Sequence, residues 1–280
     1  VIGGKNAYKK SEIISEAILK KTNRILLNKN FKKIKKYSLS TLGTDSIYGP
    51  DKYNKNSREV VLRLMATHEK KEALVILSKE VAQAATGMAS GVMNYLGGRP
   101  SVSKSIRLNS YLIPKSNFSI QVDCRDKIYP VEIPLNGEYK EDKKSNKKTY
   151  NKNLKTDISI PLFKLAYARS GDKGDHSNIG VIAREPKFFP FILNGLSNEI
   201  VKKYFAHLLE GELKAWEVPG INGLNFLLEN SLGGGGMSSL RIDPQGKAYA
   251  QQLLEIKIPV TIEIADELDW NYRTQNIRYQ

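Results

Sequence analysis

With one cysteine and three histidines among 280 residues, the chain has few side chains for thiol or soft-metal chemistry. Cys124 stands alone, so no disulfide can close within the chain and no cysteine-based zinc site can be assembled from it. It ends the alternating run Ser119-Ile-Gln-Val-Asp-Cys124, which reads as a strand, and it is expected to be an inert, half-buried thiol. No stretch approaches the ~20 uninterrupted apolar residues of a spanning helix. The first residues also lack the charged, apolar and small-residue order of a secretory signal. A soluble, cytoplasmic protein without a membrane partner is the expectation. The glycine run at 233–236 is not followed by Gly-Lys-Ser/Thr, and no Gly-x-Ser-x-Gly elbow occurs, so a P-loop, a dinucleotide fingerprint and a hydrolase nucleophile site find no support. The residues assign no cofactor and no metal.

What is present is a chain 40% hydrophobic, long enough for one large or two ordinary domains with real cores. Its charge of +15 is unevenly spread. Residues 1–156 carry 31 Lys and Arg against 14 Asp and Glu, whereas residues 157–280 carry 13 against 15. The basic residues are mostly lysines mixed with asparagine, as in Lys29-Asn-Phe-Lys-Lys-Ile-Lys-Lys36 and Lys143-Lys-Ser-Asn-Lys-Lys148. They are not interleaved with aromatics or set on one helix face, so they read as solvated positions and nucleic acid is not an expected partner.

The periodicity divides the chain. Residues 1–37 read as one amphipathic helix or two, and with Val1 in place of methionine they look like the tail of a longer α/β domain. Strands are expected at 37–43, 58–67, 106–113 and 118–123, with a helix at 69–85. The glycine-broken stretch 88–101 reads as a mobile or ligand-facing loop. Residues 138–156, almost without apolar side chains, make a Lys/Asn-rich linker. Beyond it, strands are expected at 161–168, 179–183, 213–218, 239–242 and 256–264. Helices are expected at 188–209 and 246–254, with a short one at 224–229. Together, 157–263 reads as an α+β sandwich, one sheet with helices on one face, followed by a tail at 264–280.

The densest segment is Arg169-Ser-Gly-Asp-Lys-Gly-Asp-His-Ser-Asn178. Two glycines, Gly171 and Gly174, bracket Asp172 and Lys173, so the backbone can turn tightly and direct N–H groups into one concavity that Arg169 and Lys173 would make anion-holding. The competing reading is a hairpin whose polar side chains bond their own backbone. His176, beside Asp175 in a polar loop, is the best acid–base candidate, and Asp172 and Lys173 complete the catalytic set. His207 falls among Phe205, Leu208 and Leu209 and reads as structural. Gly233, Gly234 and Gly235, with Gly236, allow close backbone approach to a ligand or to a neighbouring element, followed by a strand presenting Arg241. Ser170, Asn178 and Asn225 are assigned to the same anion site. Asp45-Ser46 is either a nucleophile with an acidic neighbour or a turn that caps itself.

The string Ala168-Arg-Ser-Gly-Asp-Lys-Gly-Asp-His-Ser-Asn-Ile-Gly-Val-Ile-Ala-Arg184 closely resembles the opening of the C-terminal domain of the acyclic terpene utilisation protein AtuA family. The resemblance continues through Gly223-Leu-Asn-Phe-Leu-Leu228, the four glycines, Ser239-Leu-Arg-Ile-Asp243 and Gln245-Gly-Lys247. Upstream, Gly43-Thr-Asp-Ser-Ile-Tyr-Gly49 and residues 87–100 resemble the closing part of the family's larger N-terminal domain, here truncated and carrying lysine-rich insertions. The resemblance implies a ferredoxin-like fold for 157–263 behind the α/β tail of 1–137. It also implies a place in the catabolism of acyclic terpenes such as citronellol and geraniol, which runs through acyl-CoA thioesters and branched-chain acids. The expected ligand is therefore a small-molecule carboxylate or acyl-CoA. The expected role is that of an enzyme or enzyme subunit, assembled as a homo-oligomer, with a non-catalytic accessory or assembly domain of a multi-subunit complex as the alternative.

Overall fold

The computed structural model describes residues 1–49, 54–94, 97–135, 137 and 154–270. The first part comprises β1 (Ile2–Gly3), α1 (Ala7–Asn28), β2 (Lys36–Leu42), β3 (Glu59–Thr67) and α2 (Lys71–Gly87). Its strands form an antiparallel sheet in the order β1-β3-β2. On α1 the buried positions Ala7, Ser11, Ile14, Ile18, Thr22 and Leu26 recur at intervals of three and four, one stripe of a 3.6-residue period. That stripe packs on α2 and β3 around a core of Ile2, Ile14, Ile18, Leu26, Val60 and Leu77. A single helix forms, not two. It stops because Asn30 turns left-handed at φ 61° and the Phe31 N–H reaches back to the Leu26 carbonyl at 2.9 Å.

Next come β4 (Ile120–Cys124) and β5 (Lys127–Val131), a two-stranded hairpin joined by Arg125 and Asp126, both at positive φ. Every residue of these two strands is exposed, so Cys124 is exposed and not half-buried as expected. The strand expected at 106–113 does not form, because no second strand pairs with it. The expected linker lies outside the described residues except for 154–156, as does the tail beyond Trp270.

The last part contains β6 (Ile158–Pro161), α3 (Leu162–Leu165), β7 (Ala166–Lys173), β8 (His176–Ala183), α4 (Phe189–Gly195), α5 (Asn198–Tyr204), β9 (Leu213–Val218), β10 (Gly223–Leu228), α6 (Tyr249–Leu253), β11 (Lys257–Val260) and α7 (Ile262–Glu267). A four-stranded antiparallel sheet runs β7-β8-β10-β9, and β6 pairs with β11 separately. Ser177, Ile179 and Val181 of β8 and Leu224, Phe226 and Leu228 of β10 point inward. They meet Phe188, Phe189, Ile192, Phe205, Tyr249 and Leu253 from the helical side. The mixed architecture is the expected one, a sheet with its helices on one face.

Several elements differ from the sequence reading for identifiable reasons. Leu224–Glu229 is not a helix: Leu224, Phe226 and Leu228 alternate and are buried, which is the period of a strand, and a six-residue apolar run does not separate the two periods. The helix expected over 188–209 breaks between Gly195 and Asn198, where the Ser197 hydroxyl accepts the Ile200 N–H and starts α5 afresh. Residues 239–242 form no strand. The expected strands at 161–168 and 256–264 are each shared with a helical segment, α3 and α7, the latter capped by Thr261. Among the described residues, no helix is long and apolar enough to cross a membrane.

The tetraglycine segment has φ of 68°, 105°, 65° and 48° at Gly233 to Gly236, a run that only glycines adopt without strain. A Cβ at Gly235 would fall well inside van der Waals contact with the Gly174 carbonyl, whereas one at Gly236 would meet nothing. Gly235→Ala is expected to lose about 3 kcal/mol of stability and Gly236→Ala about 1 kcal/mol. Urea denaturation measures the difference, and equal losses would contradict the close packing described.

Candidate functional site

The charged segment 169–178 folds as a hairpin. Eight of its ten residues belong to β7 or β8, and Gly174-Asp175 forms the two-residue turn. The connection needs a left-handed first residue, which Gly174 supplies at φ 68°. No concave loop opens between the strands, since the Lys173–His176, Asp172–Ser177 and Gly171–Asn178 pairs close the ladder up to the turn.

The turn lies directly against the tetraglycine segment. The Asp175 carbonyl accepts the N–H groups of Ser231 (3.0 Å) and Leu232 (3.2 Å), and its carboxylate accepts the Gly234 N–H at 2.7 Å. Arg241 follows. Its guanidinium donates to the carbonyls of Leu208 and Ser231 and to the Glu210 carboxylate. Ser170 is buried and ties β7 to the approach of α6, donating to the Gly246 carbonyl at 2.6 Å and accepting the Ala250 N–H at 2.9 Å. Asp172 lies 3.8 Å from the Lys247 ammonium. Of the expected site residues, Asp172, Ser170, Gly174, Gly233, Gly234, Gly235 and Arg241 thus meet around internal hydrogen bonds.

The remaining site residues share the outward face of the sheet, away from the helices. The register sets Arg169, Gly180, Asn225 and Trp216 in one row across all four strands, and Gly171, Asn178, Leu227 and Lys214 in the next. Asn178 donates its side-chain amide to Asn225 Oδ1 at 3.2 Å in the middle of this face. Asn225 is therefore on a central strand, not on the short helix expected. His176 stands opposite Lys173, and its Nδ1 accepts the Asn230 N–H at 3.0 Å, which leaves Nε2 as the proton-bearing atom. Tyr167 and Trp216 are exposed at the two edges, with the Arg184 guanidinium 3.9 Å above the Tyr167 ring. Arg169 is exposed and has no hydrogen-bond or ion-pair partner among the described residues.

Gly180 occupies the centre of that face without an internal steric reason. Its φ is not left-handed, and a Cβ there would meet only the Arg169 carbonyl, at an ordinary 3.9 Å. By contrast, Gly223 and Gly246 would put a Cβ 2.8 Å from the Val181 carbonyl and 2.6 Å from Ser177 Oγ. A glycine inside a strand weakens it and marks places where something approaches the backbone closely.

A second polar region lies where the first part of the chain meets the last, and sequence reasoning did not find it. Arg63 of β3 donates to the carbonyls of Leu240 (2.9 Å) and Arg241 (3.4 Å). A cavity of about 120 Å³ on this seam is lined by Ser38, Ser40, Ser46, Arg241, Tyr249 and Gln252 among others. It adjoins a groove of about 500 Å³ between α1 and β2, and Ser40 and Ser46 line both. Ser46 follows the left-handed Asp45 (φ 56°), whose carbonyl accepts the Tyr48 N–H, so the Asp45-Ser46 segment is a self-bonded turn that faces a cavity. Burial first, then the Glu255 carboxylate and Tyr48, push the Tyr204 phenol up to about 12. Burial and Arg241 lower His207, while nearby backbone of Ile47 and Tyr204 pulls the other way. The one signal for this region in the sequence was Gln252, a polar residue one helical turn after Tyr249 on an otherwise apolar face.

Two family models match the chain. Residues 1–124 match that of the acyclic terpene utilisation family protein AtuA, and residues 160–259 match that of the AtuA ferredoxin-like domain. No curated protein and no solved structure matches it.

Because His207 titrates below its ordinary 6.5 in the folded chain, the unfolded chain takes up this proton first as pH falls. The stability that neutral His207 supports is complete above about pH 6.5 and is lost as pH falls through the lower folded value. The urea midpoint is expected to drop between pH 7 and pH 5 more steeply in the wild type than in His207→Gln. Identical pH profiles would contradict the assignment.

Proposed function

This chain belongs to the AtuA family, and from that premise we propose that it serves the utilisation of acyclic terpenes or related branched-chain acids by binding a carboxylate or acyl-CoA ligand. The site is the outward face of the β7-β8-β10-β9 sheet. The observation that carries this reading is the row Arg169–Gly180–Asn225–Trp216, an unpaired cation, a bare backbone, an amide and an exposed aromatic in register on one face. Arg169 would hold a carboxylate or phosphate through its planar fork of donors. The Asn178–Asn225 pair supplies further amide donors, and a ring or acyl chain lies across Gly180 against Trp216.

His176 lies two residues along β8 from Asn178, within about 7 Å on the same face. With Nδ1 held by Asn230, its Nε2–H is positioned as a proton donor, and Lys173 beside it favours the anionic form of a bound acid. In this reading Asp175 and the tetraglycine segment fix the end of the hairpin and do not touch the ligand. The sites on 157–263 and the helical part within 1–137 act as two units joined by 138–156.

A second reading, self-association, is supported by the β4–β5 hairpin. It exposes Ile120, Val122, Ile128 and Val131, and an isolated two-stranded hairpin is marginal without a covering partner. Light scattering after size exclusion tests it, and a monomer at all concentrations removes it.

Calorimetric titration with an acyl-CoA and a branched carboxylate tests the anion site. Arg169→Ala is expected to weaken binding about tenfold, consistent with loss of one charge-assisted hydrogen bond. Gly180→Val is expected to abolish it while leaving the fold intact. Equal affinities for the three proteins, or no binding by the wild type, would sink the proposal.

A further inference from the structure

The seam cavity contains a side chain whose chemistry the fold leaves unanswered. Gln252 on α6 is 1% exposed, lines the cavity of about 120 Å³, and neither its amide nitrogen nor its carbonyl oxygen has a hydrogen-bond partner among the described residues. Burying an unpaired amide is unfavourable, and a core position next to Leu253 accepts an apolar residue readily. The Tyr249 hydroxyl, one turn earlier, donates to the Ser231 carbonyl and can still accept. Ser40 and Ser46 stand at the opening, where the cavity meets the groove of about 500 Å³ whose walls include Leu19, Leu39 and Leu62.

We infer that this seam is a second binding site, one that takes a small neutral amphiphile, its hydrogen-bonding head on Gln252 and its aliphatic chain along the groove between α1 and β2. The inner cavity is small, lies where the two parts of the chain meet, and presents Gln252 and the serines beside Ile47, Leu208 and Ile242. The outer one lies in the size range of small-molecule sites, and Leu19, Leu39 and Leu62 line it together with Glu12, Glu16 and Lys20.

The head group is neutral for reasons of charge and pairing. Arg241 and Asp243 both line the cavity, one cation and one anion, and each is already engaged. Arg241 donates to two carbonyls and to Glu210, and the Asp243 carboxylate accepts the N–H groups of Lys247 (2.9 Å) and Ala248 (2.8 Å). A carboxylate head would accept from the Gln252 amide but would leave its carbonyl oxygen unpaired and bury an uncompensated charge. An alcohol or a primary amide both donates and accepts, and so answers both atoms. This site is independent of the anion site on the outward sheet face.

Saturation-transfer NMR on the full chain at pH 7.5, with hexan-1-ol, hexanamide and hexanoate as probes, tests the inference. The two neutral probes are expected to show signal at least severalfold above hexanoate, with the signal lost in Gln252→Met. Ser46→Leu, at the junction of the two cavities and outside the core, is expected to lose it too, and so covers the case in which Gln252→Met does not fold. Removing the two unpaired atoms is expected to raise the melting temperature of ligand-free Gln252→Met by about 2–4 °C. Arg169→Ala should leave hexanol binding unchanged, so failure here and failure of the anion site are read separately. No signal from any probe, hexanoate equal to hexanol, or Gln252→Met that binds as the wild type does would overturn the inference.

Discussion

The segment from Ser231 to Arg241 has no regular secondary structure, yet both parts of the chain are attached to it, and what holds it is Asp175. One residue at the hairpin turn satisfies three backbone N–H groups, two through its carbonyl and one through its carboxylate. Gly234 and Gly235 can lie against that turn only because they lack side chains and accept left-handed angles. Once the segment is fixed, Arg241 reaches the carbonyl of Leu208 and shares the Ser231 carbonyl with the Tyr249 hydroxyl. The carbonyls of Leu240 and Arg241 itself face the other way and receive Arg63 from β3. A backbone stretch that would be costly to order on its own becomes the bracket between two hydrophobic cores.

That bracket also determines what the chemically conspicuous residues are available to do. Arg241, Asp243, Ser170 and the glycines are engaged in holding the segment and α6 in place. Arg169, His176, Asn178 and Asn225 lie on the opposite face of the same hairpin and its neighbour strand, where no described residue engages the Arg169 side chain. The segment 169–180, within the match to the AtuA ferredoxin-like domain, therefore has two sides, one turned to the fold and one to solvent, and alternation along β7 and β8 separates them.

Alternation was also what made most of the sheet legible. The patterns at 37–43, 58–67, 179–183 and 213–218 placed strands, although only 58–67 and 179–183 carry fully buried residues and Tyr37, Leu39 and Trp216 are exposed. Leu224-Asn-Phe-Leu-Leu was misread because its three buried residues sit at spacings of two within a run that is apolar throughout, so the local pattern did not choose between periods. The stop at Gly195 and restart at Ser197 were readable capping signals inside what otherwise looked like one helix. The seam was not legible, because it depends on contacts between residues 38–63 and 204–255 that no local pattern encodes. The role of Arg241 was hidden likewise, since its acceptors are 10 and 33 residues away. The approach between the charged turn and the four glycines was suggested by composition, but the glycines admit a neighbouring chain rather than leaving an open pocket.

The most direct test of this account is hydrogen exchange on Asp175→Ala compared with the wild type. If the Asp175 carboxylate, the part the substitution removes, holds the bracket, amide protection is expected to fall over 231–243 and also over 38–49 across the seam, while β9 and the centre of β8 keep theirs. Loss confined to the turn at 174–176, with the seam as protected as before, would show that the two parts are held together by something other than this segment.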